Sequence, residues 1–247
     1  MAVASQEVSV ERLAELIRTR RPCVVLTGAG VSTESGIPDF RSPTGIWAEV
    51  DPMEYASLRA FHADPEKVWS FYAKRIEMLT EAEPNEAHRA LAELERRGYV
   101  EAIVTQNIDL LHTRAGSRNV VEVHGSIRTV SCLACGHRES LEESLLPVPR
   151  CPDCGAVLKP DVVFFGELLP RAAIDRAYEL ARGAASMLVV GSALEVFPVA
   201  ELPLETLGAG GSLAIVNRGP TALDRRADIR IDGAAGETLR RVADLLG

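Results

Sequence analysis

The stretch Cys23-Val24-Val25-Leu26-Thr27-Gly28-Ala29-Gly30-Val31-Ser32 decides the fold. Its first four residues are an unbroken apolar run, the mark of a strand buried on both faces, as in a parallel sheet covered by helices. A turn of small residues follows, and open parallel sheets bind ligands beyond the carboxyl ends of their strands. Gly28, Ala29 and Gly30 let backbone amides approach a phosphate, although a tight turn in any α/β protein would look the same. The next glycine is Gly36, so the spacing is G-x-G-x5-G and departs from the ordinary dinucleotide fingerprint. No strand delivers an acidic residue about twenty positions on, as hydride-transfer folds require.

Outward from this stretch, apolar blocks alternate with helix-period blocks, which predicts an α/β fold with a parallel sheet and helices on both faces. A first helix is expected from about Val10, with Leu13, Leu16 and Ile17 on one stripe. Pro84-Asn85 opens a second, with Ala87, Ala90, Leu91 and Leu94 inward and Gly98 as its stop, before a strand around Ala102-Ile103-Val104. Further strands are expected at 120–123, 162–165, 187–190 and 213–216, and helices at 170–182 and 237–246. There is no internal repeat and no low-complexity tract.

Two stretches break the rhythm. Residues 35–80 read as a long loop with Trp47, Tyr55, Trp69 and Tyr72, and residues 128–160 carry Cys132, Cys135, Cys151 and Cys154 as C-x2-C-x15-C-x2-C. Two such knuckles place four thiolates around one Zn²⁺ at about 2.3 Å, with no position left open, so the metal is structural. Gly136 and Gly155, each just after a pair, give the backbone freedom to turn amides toward the sulfurs. Two disulfides or four core thiols are the alternatives, and the chain lacks the usual signs of an oxidising compartment. The expected division is a sheet domain of residues 1–34, 81–127 and 161–247 and a smaller domain of residues 35–80 and 128–160, with a cleft between them.

With 247 residues and 47% apolar composition the chain fills a sizeable core, which excludes a small disulfide scaffold. The opening MAVASQEVSVERLAEL has no basic flank before an apolar core, and no run approaches the roughly 18 apolar residues of a membrane span. A soluble, cytoplasmic protein without membrane contact is expected. The net charge of −8 disfavours direct nucleic-acid binding and favours basic protein tails.

Further motifs follow in order: Ser35-Gly36-Ile37-Pro38-Asp39-Phe40-Arg41-Ser42, Thr105-Gln106-Asn107-Ile108-Asp109, Val123-His124-Gly125, Val163-Phe164-Phe165-Gly166-Glu167, Gly191-Ser192-Ala193 and Ile215-Val216-Asn217. Together with the zinc clip between the third and fourth of them, they resemble the sirtuin family of NAD-dependent protein-lysine deacylases along essentially the whole chain. The resemblance implies a Rossmann-like NAD-binding domain and a small domain made of a zinc module and a helical or loop module. It also explains the missing hydride-transfer pattern, because sirtuins consume NAD: the acyl oxygen of a modified lysine attacks the ribose carbon and nicotinamide leaves.

Carried over residue by residue, the resemblance puts Ala29, Thr33, Asp39, Phe40 and Arg41 on the NAD site, with the backbone of Gly28 to Gly30 facing the diphosphate. Phe40 shields the reacting ribose face and Arg41 offsets phosphate charge. Gln106 holds the nicotinamide ribose, Asn107 positions a water or hydroxyl, and Ile108 and Asp109 hold the carboxamide. His124 is the catalytic base: with an unperturbed pKa of about 6.5 it relays a proton from a ribose hydroxyl near neutral pH. Gly191, Ser192 and Asn217 contact the phosphates and adenosine, and Ala235 lies near the adenine. Many relatives carry serine or threonine where this chain has Ala193. A substrate peptide lies as an added strand between Val163, Gly166 and Glu167 on one edge and Leu194 and Val196 on the other.

Trp69-Ser70-Phe71-Tyr72-Ala73-Lys74-Arg75 resembles the W-x-F-Y-x-x-R segment of sirtuins that prefer succinyl or malonyl lysine. On a helix Tyr72 and Arg75 share a face and could clamp a carboxylate; an amphipathic helix with a solvated arginine is the alternative. Asp39 and Ser42 stand where that subgroup commonly has threonine and glycine. Deacetylation is therefore the leading reading. The alternatives are desuccinylation or demalonylation, ADP-ribose transfer to protein, and an NAD or ADP-ribose sensor without turnover. His112 is expected to pack or face solvent, and His62, His88 and His137 carry no motif.

Overall fold

The computed structural model describes residues 2–40, 42, 45–141 and 148–247, with side chains from residue 7 onward. In chain order the strands are β1 (Cys23–Thr27), β2 (Val100–Thr105), β3 (Val120–Glu122), β4 (Gly125–Ser131), β5 (Arg138–Ser140), β6 (Lys159–Val162), β7 (Ser186–Val190), β8 (Ser212–Val216) and β9 (Ile229–Ile231). The α-helices are α1 (Ala2–Thr19), α2 (Pro52–Tyr55), α3 (Leu58–Ala63), α4 (Pro65–Glu81), α5 (Glu86–Arg96), α6 (Leu111–Arg114), α7 (Arg171–Gly183), α8 (Leu202–Gly208) and α9 (Ala235–Leu245). None is long and apolar enough to cross a membrane among the described residues.

Strand β1 is buried at every position because it is central: the large sheet runs β3-β2-β1-β7-β8-β9, all parallel. The chain winds outward from β1 to β3, then restarts beside β1 with β7 and winds the other way. That reversal is the topological switch point at which doubly wound sheets open a crevice for ligands. Alternate side chains of β1 face opposite ways. Cys23 and Val25 join Leu13, Ile17, Leu91, Leu94, Leu239 and Val242 in one core, while Val24 and Leu26 join Ala177, Leu180 and Leu202 in the other.

Helix α1 begins eight residues before the apolar stripe because no proline or glycine interrupts its start. The strand expected at 162–165 is corrected. Lys159–Val162 forms β6, which pairs antiparallel with β4 in a separate sheet of order β5-β4-β6, and residues 163–165 leave it. An apolar run marks burial but not partner or direction. Residues 35–80 are likewise no long loop: α2, α3 and α4 fill most of the stretch, capped by Asp51, Ser57 and Asp64. Asp-Pro at 51–52 and 64–65 places a cap beside a proline in the first turn, a signal legible in the sequence. Helix α8 and strand β9 were not anticipated, being too short for a periodic pattern.

The two excursions from the large sheet share a third core. Val68, Trp69, Tyr72, Ile76 and Leu79 of α4 pack with Ile127, Val130, Leu158, Val162 and Phe164. Trp69 is fully buried and its indole N–H donates to the Leu158 carbonyl at 2.7 Å. Burying about 200 Å² of indole at roughly 25 cal/mol per Å² contributes up to about 5 kcal/mol, so Trp69 is a principal tie between the excursions.

At the tip of the small sheet the sulfurs of Cys132 and Cys154 are 3.5 Å apart and those of Cys135 and Cys151 3.4 Å. All four lie within 4.8 Å of one another. A ZnS4 tetrahedron with bonds of about 2.3 Å has edges of about 3.8 Å, whereas a disulfide needs about 2.05 Å, so the four fit one zinc ion and not two disulfides. Gly136 and Gly155 do take left-handed φ of 80° and 75°. Their amides, however, donate to the carbonyls of Cys132 and Cys151, and the amides turned toward the Cys132 sulfur are those of Ala134 and Cys135.

The first turn of α5 is held by a capping box in which the Asn85 side chain accepts from the Ala87 and His88 amides and the His88 ring accepts from the Asn85 amide. His88 and His112 are both buried, their rings 4.8 Å apart. Burial, and then the Arg89 charge, push His88 down to about 4, and burial pushes His112 well below the ordinary imidazole range.

Two outcomes are expected. Cys151→Ser loses zinc and lowers Tm, because the metal's binding energy is also folding energy; an unchanged Tm in zinc-free variant protein would contradict the clip. Between about pH 6.5 and pH 4 the unfolded chain binds protons that the buried imidazoles refuse, so stability falls as pH drops through that window. In urea titrations from pH 7 to 4.5, His88→Gln should lose less stability than the wild type; parallel losses would remove His88 as the cause.

Candidate functional site

Beyond β1 and β7, at the switch point, two glycine turns interlock. Gly30 donates its amide to the Gly191 carbonyl at 2.9 Å, and a Cβ on Gly191, whose φ is +62°, would stand 2.2 Å from the Val31 nitrogen. A Cβ on Gly28 would meet the Gly191 carbonyl at 2.8 Å. The small residues are thus required first by turn-on-turn packing and leave less backbone for a phosphate than the sequence reading allowed. The amides of Gly28, Gly30, Val31 and Ser32 all donate within the protein, while that of Ala29 has no partner among the described residues.

The segment after β2 is laced to these turns. Gln106 donates its side-chain amide to Ser192 Oγ at 3.0 Å, and Asn107 donates to the Gly28 carbonyl at 3.2 Å and to Ser32 Oγ at 3.0 Å. Ser32 in turn donates to Asp109 at 2.7 Å, and the Leu111 amide donates to the other Asp109 oxygen at 3.0 Å. Burial raises the Asp109 pKa, and the Ser32 hydroxyl and the Leu111 amide oppose that rise. Ile108 packs half-buried against the third core. The side-chain donors of Gln106 and Asn107 thus act as struts between the turns.

Sequence reasoning missed the buried polar layer underneath. His88 Nε2 lies 3.4 Å from Ser32 Oγ, and His112 Nε2 lies 3.0 Å from Thr27 Oγ1, which donates to Thr105 Oγ1 at 2.9 Å. His112 therefore packs and does not face solvent. A histidine three residues after the capping Asn85 was the available signal.

His124 follows β3, and its Nδ1 lies 3.0 Å from the Gln106 carbonyl. A carbonyl only accepts, so Nδ1 carries a proton, which in the neutral ring leaves the lone pair on Nε2. The strand end thereby fixes both ring orientation and tautomer, as a proton acceptor requires. On the loop after β1, the Thr33 hydroxyl donates to the Gly30 carbonyl at 3.0 Å, and Asp39 accepts from the Ser42 amide at 2.8 Å. Asp39 holds its own turn. Phe40 packs on Trp47 with ring centroids 5.3 Å apart. Arg41 lies outside the described residues.

On the substrate side, Val163 donates its amide to the His124 carbonyl at 2.9 Å, which ties the expected peptide edge to the histidine. Phe165 already pairs through both N–H and C=O with Ala56 and Leu58. Glu167 is less open than expected: its carboxylate accepts from the Phe164 amide at 2.7 Å and pairs with buried Lys159 at 3.0 Å. Gly166, at φ +91°, turns the chain at the exposed edge. On the other expected peptide edge, Leu194 is buried at φ +59°, a strained value for leucine, and the Val196 carbonyl accepts from Ala200. Tyr72 is buried against Phe164, centroids 5.2 Å apart. Arg75 is only 8% exposed, and its guanidinium lies 5.3 Å and 5.4 Å from the ring centroids of Phe40 and Phe71. No carboxylate pairs with it among the described residues, and burial lowers its pKa. The solvated-arginine alternative is thereby set aside.

At the far end, Asn217 follows β8 and donates its side-chain amide to the carbonyls of Arg218 and Gly219, while Ala235 opens α9 in a buried position. Glycine turns, polar struts, histidine, aromatic pocket and the loop after β8 thus all follow carboxyl ends of strands or flank them.

The Sir2 family model matches residues 28–198. The NAD-dependent protein deacylase of Thermococcus kodakarensis is 45% identical over 245 residues, covering 94% of this chain and 95% of the relative. The NAD-dependent protein deacetylase 1 of Pyrobaculum aerophilum is 44% identical over 250 residues, covering 100% and 98%. The solved ADP-ribose complex of a Sir2 homologue superposes with a TM-score of 0.92 at 44% identity, covering 96% of each chain. The match takes in the glycine turn, the struts, the histidine and the zinc clip alike, and the chain belongs to the Sir2 family.

Proposed function

We propose that this protein is an NAD-dependent protein-lysine deacylase, with deacetylation its leading activity, yielding nicotinamide, O-acyl-ADP-ribose and free lysine. The observation that carries the reading is the His124 ring, fixed by Nδ1 on the Gln106 carbonyl while Gln106 reaches across to Ser192. NAD supplies the ribose carbon from which nicotinamide departs. His124 accepts a proton at Nε2 from a ribose hydroxyl. Gln106 and Asn107 present their amide oxygens to the sugar side, and Asp109 faces the carboxamide with Ile108 beside it. Phe40 excludes water, and Ala29, Gly191 and Ser192 bound the phosphates.

The peptide lies between the Gly166 edge and the Leu194–Val196 segment, read through its backbone. The third core, drawn mostly from residues 35–80 and 128–160 and joined by Leu111, Ile127, Val162 and Phe164, supports a small domain beside a nucleotide-binding domain of residues 1–34, 81–127 and 161–247. Net charge −8 supports a basic protein tail, not nucleic acid, as partner, and four thiolate ligands suit a reducing cytoplasm.

A second reading rests on Arg75. A buried guanidinium packed on rings and lacking a carboxylate suits the free carboxylate of a succinyl or malonyl chain, with Tyr72 beside it.

Nicotinamide release that requires an acylated peptide separates this enzyme from an NAD sensor; tight NAD binding without release would favour the sensor. His124→Ala should lower deacylation by at least about 100-fold with an unchanged circular dichroism spectrum, and near-normal turnover would remove the base. Arg75→Met should reduce succinyl-peptide kcat/KM about 10- to 100-fold more than acetyl-peptide kcat/KM. Equal losses on the two peptides would make Arg75 a packing residue.

A further inference from the structure

Strand β9 is three residues long and lies at the sheet edge, yet its central side chain is among the most heavily bonded in the molecule. Arg230 donates Nε to Asp224 Oδ1 at 2.8 Å and Nη1 to the Asn217 carbonyl at 3.0 Å; Nη1 also meets the Ile231 carbonyl and Nη2 the Gly219 carbonyl. Its side chain is 20% exposed.

Three of these acceptors, Asn217, Gly219 and Asp224, belong to the connection that leaves β8. Residues 217–223 form no helix or strand, so their path depends on such bonds. Asp224 reinforces the hold by accepting from the Thr221 hydroxyl at 2.7 Å and the Thr221 amide at 3.2 Å. The Gly219 amide donates to Asp232 at 3.2 Å, closing the loop against the end of β9. Ala222 then donates its amide to the Ala193 carbonyl at 3.1 Å, which passes the loop's position to the turn after β7.

We propose that Arg230 is a positioning residue for the adenosine half of the dinucleotide, acting through the backbone of residues 217–224. The proposal rests on the nucleotide-binding reading above. A planar guanidinium reaches acceptors in several directions at once, which the single ammonium of a lysine cannot reproduce. Holding the loop in its binding shape before the nucleotide arrives removes an ordering cost from binding. Arg230 acts without touching the ligand, because three of its contacts hold the loop and a fourth holds the end of β9.

Steady-state kinetics and ADP-ribose calorimetry on the zinc-loaded enzyme test this with Arg230→Met, Arg230→Lys and Asp224→Asn. Arg230→Met is expected to raise KM for NAD and Kd for ADP-ribose about tenfold, with peptide KM and nicotinamide inhibition unchanged. Arg230→Lys should resemble Arg230→Met, since the charge survives and the fork does not. Asp224→Asn, the mildest change, should move the same constants by a smaller factor and covers the case in which Arg230→Met does not fold. A purely structural role would lower Tm and kcat while leaving both nucleotide constants unmoved, and that result overturns the proposal. Wild-type nucleotide constants in Arg230→Lys overturn it too, pointing to long-range charge. If wild-type protein does not bind ADP-ribose, the nucleotide reading itself fails, and this inference with it.

Discussion

The close approach of two backbone turns at the centre of the sheet is the constraint on which the rest depends. Gly30 and Gly191 meet with no room for a Cβ on either, so β1 and β7 end side by side at the point where the winding reverses. Everything that forms the crevice is measured from that contact. Ser192 is brought to Gln106, Gln106 presents its carbonyl to His124, and His124 passes its own carbonyl to Val163 on the substrate edge. A side chain at either glycine would part the turns and disturb the whole series, because interiors transmit displacement instead of absorbing it.

Two buried cations, Lys159 and Arg75, differ in what surrounds them. Lys159 has the Pro160 and Val162 carbonyls and the Glu167 carboxylate within 3.0 Å, and its charge is satisfied inside the protein. Arg75, similarly enclosed, packs on the rings of Phe40 and Phe71 and pairs with no carboxylate among the described residues. Cation–π contact returns about 0.5–2 kcal/mol, less than the desolvation of an isolated charge demands. The first arrangement is complete in itself; the second is the one on which the proposed succinyl or malonyl reading rests.

Much of this was legible in the sequence because it rests on periodicity and fixed spacing. The apolar run of β1, the stripe of α5 with its Asn85 cap, and the C-x2-C pairs each carry their own geometry. What stayed hidden depends on tertiary partners. The apolar residues near 162 gave no indication that they would pair antiparallel with β4, and the aromatics between 35 and 80 masked helices whose Asp-Pro starts were present. The glycines after β1 were read for what a phosphate would need, whereas Gly191, more than 160 residues away, sets the packing demand. The His88 and His112 pair was invisible for the same reason: each residue is unremarkable alone.

The bond from Trp69 to the Leu158 carbonyl spans 89 residues of chain. At the usual 5–20 residues per second of translation, α4 waits roughly 4–18 s after emerging before its partner segment is made. During that interval Val68, Trp69, Ile76 and Leu79 lack the cover of Leu158, Val162 and Phe164. The nascent protein therefore carries an incompletely covered apolar face at mid-synthesis, the kind of surface that chaperones shield.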